Sequence, residues 1–95
     1  MMREACLVVP VSFDPTTVEA KMLVAFGGFT RTDGLGGWIA PDKHVFREPV
    51  FVYALAMEDT DANLSELVAL ANYVKTTYSQ QCVYVRKPDG AIIFI

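Results

Sequence analysis

Leu64, Leu67, Val68, Ala71, Val74 and Tyr78 recur at helical spacing and make one broad apolar stripe on a single predicted helix. A stripe that wide must bury against another apolar layer. The segment just before it, Val50 to Met57 (VFVYALAM), is nearly all apolar and reads as a central strand covered on at least one face. A helix laid on a sheet is therefore the first constraint on the fold.

The other elements fall around that pair. Ala5 to Phe13 is rich in β-branched residues and reads as a strand, ending at Asp14-Pro15, a helix-start signal. The helix that follows carries Val18, Met22, Leu23, Ala25 and Phe26 on its apolar side, with Glu19 and Lys21 facing out, and Gly27-Gly28 stops it. Phe29 to Ala40 and Val45 to Met57 form a hairpin across Pro41-Asp42-Lys43-His44. Pro49 cannot donate to a ladder, so pairing is expected to start after it or to bulge there. Asn63 or Asp61 caps the second helix. Val83 to Arg86 and Ala91 to Ile95 then pair across Lys87-Pro88-Asp89-Gly90. The order β-α-β-β-α-β-β predicts an α+β, ferredoxin-like sandwich, an antiparallel sheet with two helices on one face.

Ninety-five residues support a single α+β domain over 1–95, and an apolar content of 53% argues against disorder. A net charge of −3 with scattered basic residues makes a nucleic acid partner unexpected. No apolar run is long enough for a membrane helix, and the run in MMREACLVVPVSF is short and broken by Pro10, so the reading is a cytoplasmic protein without a membrane partner. Cys6 and Cys82 are expected as free thiols at opposite ends of the sheet. One histidine, His44, and no Cys-x-x-Cys pair leave no metal shell, and no cofactor is implied. No nucleophile elbow is present.

GGFTRTDGLGGW, residues 27 to 38, holds five of the six glycines and the only tryptophan. It leads from a helix into a hairpin, so it is neither a dinucleotide fingerprint nor a P-loop. One reading is structural: Asp33-Gly34 and Gly36-Gly37 let the strand bend or bulge. The other is a ligand cradle in which Arg31 and Arg47 converge with Gly36, Gly37 and Trp38 on a nucleotide-like anion, the arginines forking to phosphate and the indole stacking on a base. The C-terminal AIIFI is an apolar sheet edge, and Ile92, Phe94 and Ile95 are the expected interface of a homodimer or of a protein partner.

Gly28-Phe29-Thr30, Gly36-Gly37-Trp38, Arg47-Glu48-Pro49-Val50 and Gln80-Gln81-Cys82-Val83 occur in an order that resembles a loose group of small uncharacterised bacterial and phage proteins with a G-[FY]-T, G-x-W, E-P-V, Q-x-x-V pattern. The resemblance spans roughly residues 11 to 85 and implies a ferredoxin-like domain. It implies no activity and transfers no catalytic residue. The functional expectation is a small non-enzymatic binding or accessory protein, phage or prophage encoded, acting through protein contact. A small-molecule binder built on the glycine-rich hairpin is the alternative, and a ferredoxin-like monooxygenase or isomerase a third reading.

Overall fold

The computed structural model describes residues 1–11 and 14–95. Strand β1 (Met2–Pro10) is followed by helix α1 (Thr16–Phe26), β2 (Thr30–Ile39), β3 (Val45–Glu58), α2 (Asp61–Thr77), β4 (Tyr84–Arg86) and β5 (Ile92–Phe94). They build one antiparallel sheet in the order β2-β3-β1-β4-β5. This is the ferredoxin-like arrangement the element order predicts. No helix among the described residues is long and apolar enough to cross a membrane.

Strand alternation sorts the sheet into two faces. Ala5, Leu7 and Val9 of β1, Tyr53, Leu55 and Met57 of β3, and Val85 of β4 point to the helices and are buried. Against them pack Val18 and Met22 of α1 and Leu67, Leu70, Ala71 and Val74 of α2. The residues between them on each strand form an open face that no helix covers.

Several expectations shift in detail. β1 starts three residues earlier than the valine run suggests, and Ser12 and Phe13, assigned above to its end, lie outside the described residues. The Asp14 carboxylate accepts hydrogen bonds from the Thr16 backbone N–H (3.0 Å) and hydroxyl (2.6 Å), so it serves the start of α1 from one residue outside the formal cap, Pro15. Leu23 is 52% exposed rather than packed, and Glu19 turns inward rather than out. Thr60, not Asn63 or Asp61, caps α2. Its hydroxyl accepts from the Asn63 N–H, and the Asn63 side chain donates back to Glu58 O.

No bulge occurs at Pro49. The β2–β3 register runs unbroken from Thr30 opposite Ala54 to Ile39 opposite Val45. The Pro49 carbonyl accepts from Val11 N–H, on the β1 side. In an antiparallel strand the N–H of a residue points to the same side as its C=O, so the donor that proline lacks is missing only where β1 has ended. The hairpin closes through Ala40 N–H to His44 O, with Lys43 taking a left-handed φ of 73°.

Both cysteines are free. Cys6 sits opposite Arg86, mid-strand rather than at a strand start, and Cys82 lies four residues before Arg86, about 13 Å away along the strand direction.

Candidate functional site

At its far end the β2–β3 hairpin runs past the helices, and the register decides which of its side chains share a face. Trp38 lies opposite Phe46, and their rings stack with centroids 5.1 Å apart and planes 14° from parallel. His44 leans on the same Phe46 ring at 4.5 Å. Two residues along, Glu48 lies opposite Gly36, and beyond it Val50 lies opposite Gly34. All of these belong to the open face.

The glycines explain themselves here. Gly34, Gly36 and Gly37 sit in unbroken ladder pairing, and positive φ is confined to Gly27 and Gly90 among the glycines. The strand neither bends nor bulges at them, contrary to the structural reading of the sequence. What they lack is side chains. A Cβ at Gly36 would meet Val50 Cγ1 at 3.2 Å, tighter than ordinary contact. Gly34 and Gly36 therefore make room for the Val50 side chain, which fills a strip beside the aromatic platform, with Glu48 opposite Gly36. Glu48 is half-buried beside that strip and has no hydrogen-bond or ion-pair partner among the described residues.

Of the five residues expected to converge, the structure brings together only Gly36 and Trp38. Arg31, Gly37 and Arg47 face the helix side of the sheet. Arg31 is opposite Tyr53 and Arg47 opposite Gly37, so the two guanidinium stems are six residues apart, about 20 Å along β2. They cannot fork onto one phosphate. Glu48 and Phe46 replace them. Their signal was legible as the alternation 34, 36, 38 against 46, 48, 50, which register converts into one face.

Arg31 belongs to a second cluster. Glu19 Oε2, in the first turn of α1, accepts 2.7 Å hydrogen bonds from Arg31 Nη1 and from the Tyr53 hydroxyl. The Arg31 guanidinium also lies 4.3 Å over the Phe51 ring, and Phe29 and Phe51 meet Tyr53 edge-on. Burial, and next the hydrogen bond to the Glu19 carboxylate, push the Tyr53 hydroxyl well above the ordinary tyrosine range. Every charged group in this cluster is satisfied, so it fastens α1 to β2 and β3 rather than presenting a reactive group.

The C-terminal interface residues also divide. Ile95 exchanges backbone hydrogen bonds with Val83 and packs against the core, whereas Ile92 and Phe94 stay on the open face, 42% and 67% exposed.

No protein-family profile matches the chain, and no curated sequence does. Two solved structures do. One is a phage SAM lyase in complex with S-methyl-5'-thioadenosine, at a TM-score of 0.77 and 11% identity, covering 99% of this chain and 88% of that one. Another is a phage SAM lyase in its apo state, at 0.68 and 10% identity, covering 99% and 86%. At such identities the likeness shows the fold. It also corrects the functional expectation: the architecture read as that of a non-enzymatic accessory protein is, over nearly its whole length, one that an enzyme uses. The sequence carries no catalytic motif that points there.

Proposed function

We propose that the protein is a lyase of an S-adenosyl sulfonium, cleaving S-adenosylmethionine with release of S-methyl-5'-thioadenosine. The observation that carries this reading is the near full-length likeness to phage SAM lyase. The open face of the hairpin supplies residues suited to the task. The Trp38 and Phe46 rings offer a stacking surface for adenine. Glu48 is about 7 Å further along the strand, level with the ribose and sulfonium end of a nucleoside stacked on Trp38. An unpaired carboxylate there favours binding of the cationic sulfonium.

The chemistry asks little of side chains. As the bond from sulfur to the amino-acid γ-carbon breaks, its electron pair goes to sulfur and the γ-carbon takes a new bond from the substrate's own carboxylate oxygen, closing a five-membered lactone, so the departing thioether is neutral. No acid is needed to protonate the leaving group. The protein's contribution is to bind the substrate extended on the sheet, hold the sulfonium and exclude water. The substrate is an intracellular metabolite, which agrees with a cytoplasmic protein.

The test is direct. Purified protein incubated with S-adenosylmethionine should yield S-methyl-5'-thioadenosine, followed by chromatography. Trp38→Ala should raise KM roughly tenfold, since a base stacked on an aromatic ring contributes about 1–3 kcal/mol. Glu48→Gln should lower kcat/KM by at least about tenfold, the loss of one charge interaction of about 1.4 kcal/mol. A folded protein that leaves the substrate intact overturns the reading.

A further inference from the structure

The arm that carries the aromatic platform is only two strands wide at its far end. Pairing of β1 with β3 stops at Pro10 opposite Val50, four residues from Phe46, so β1 gives that ring no cross-strand neighbour. On its other side Phe46 has Trp38, whose plane lies 14° from its own and covers one face. His44 meets the same Phe46 ring at 4.5 Å between centroids, with the planes 53° apart. A separation at the short end of the aromatic range engages a ring face rather than a rim. One face is already taken, so the imidazole lies against the other, and Phe46 is held between two rings. β2 is an edge strand of the sheet, and Trp38 turns its second face away from the stack.

The turn is built to keep the imidazole there. Lys43 N–H donates to Ala40 O (2.9 Å), Ala40 N–H to His44 O (2.8 Å) and His44 N–H to Asp42 Oδ1 (3.0 Å). A three-residue hairpin loop of this kind needs a left-handed residue at its last position, where glycine is usual, and Lys43 takes that place at φ 73°. Both backbone groups of His44 are thus engaged. Its side chain leaves the turn on the face it shares with Phe46 and Glu48.

We propose that His44 is a positioning residue of the substrate site: its ring clamps Phe46 against Trp38, and the outer face of Trp38 is the stacking surface left for a purine. The inference rests on the adenine-stacking reading above and assigns separate roles within it. Trp38 touches the base, Phe46 backs Trp38, and His44 acts through Phe46 without touching the ligand. A Phe46 ring free to change rotamer leaves the platform assembled for only part of the time, and the apparent affinity falls by that fraction. The ligand class selected is a single flat purine system, stacked on one side.

Trp38 is the chain's only tryptophan, so its fluorescence, titrated with S-methyl-5'-thioadenosine, reads the stack whether or not the protein cleaves S-adenosylmethionine. The wild type is expected to be quenched to saturation. His44→Ala should weaken that binding by roughly three- to tenfold, the size of one aromatic contact, and raise KM by the same factor with kcat within about twofold and unchanged circular dichroism. His44→Phe, which restores a ring without the imidazole nitrogens, should recover the wild-type affinity. A folded His44→Ala protein that binds the nucleoside as tightly as the wild type overturns the proposal. So does a folded His44→Phe protein as weak as His44→Ala, because the imidazole would then act through its polar atoms. A wild type that the nucleoside does not quench removes the platform and this inference with it, whereas quenching without cleavage strikes only the lyase reading.

Discussion

The hydroxyl of Tyr53 shows how a single group can secure a helix. Its ring is fully buried, and it donates to a carboxylate that Arg31 also holds. Tyr53→Phe removes one hydrogen bond to a charged acceptor and leaves Glu19 with Arg31, so urea denaturation should report a loss of about 1.5–3 kcal/mol. The pH dependence has a definite sign. The folded state raises the Tyr53 pKa above its unfolded value of about 10, so this stabilisation is fully present below about pH 10 and is lost as pH climbs toward the folded value. In the wild type the slope of stability against pH should turn down above about pH 10, and Tyr53→Phe should flatten it. An equal slope in both would place the alkaline sensitivity on other groups. The cysteines differ in the same physical terms. Burial raises the Cys6 thiol pKa, opposed by nearby Arg86, whereas Cys82 is exposed, so alkylation at pH 8 should modify Cys82 first.

At the scale of elements, local chemistry was readable wherever a residue acts on its own neighbours. Gly27 ends α1 in the left-handed region at φ 82°, its N–H donating to Leu23 O, as the helix-stop reading requires. A Cβ placed there meets nothing within 4 Å, so Gly27→Ala isolates the backbone cost, and thermal denaturation should show a loss of about 1–2 kcal/mol. Gly90 fills the same need in the β4–β5 turn at φ 92°. What the sequence concealed was register. Arg31 and Trp38 are seven residues apart, an odd separation, which on one strand means opposite faces. The cradle drawn from composition ignored that parity, and so it coupled Trp38 to the arginines instead of to Phe46 and Glu48. Glu19 misled for a related reason. Helical periodicity placed it outward, but the strand beyond it presents a buried hydroxyl and a guanidinium that turn it in. A long-range partner of that kind leaves no mark on local spacing. The order of elements, by contrast, is fixed by local signals alone, and the fold follows from it.

The molecule as a whole is elongated, 42 × 27 × 22 Å, because fourteen-residue β3 and its partner β2 outreach the helices. Near the core end the pair is covered on one side by α1. Toward the turn it is bare on both, with Leu35, Ile39 and Val45 exposed on the helix side and Trp38 and Phe46 on the other. Few contacts hold such an overhang, so it should open at a lower free energy than the rest of the sheet. Native-state hydrogen exchange on dilute protein gives the measure. Amides paired near the turn, such as Ile39 with Val45, are expected to exchange at least tenfold faster than those of Leu7 with Tyr53, which sit in the buried centre. An arm as protected as Leu7 in dilute monomer would show that its own pairing and aromatic stack suffice, and the low-stability view of the overhang would fall.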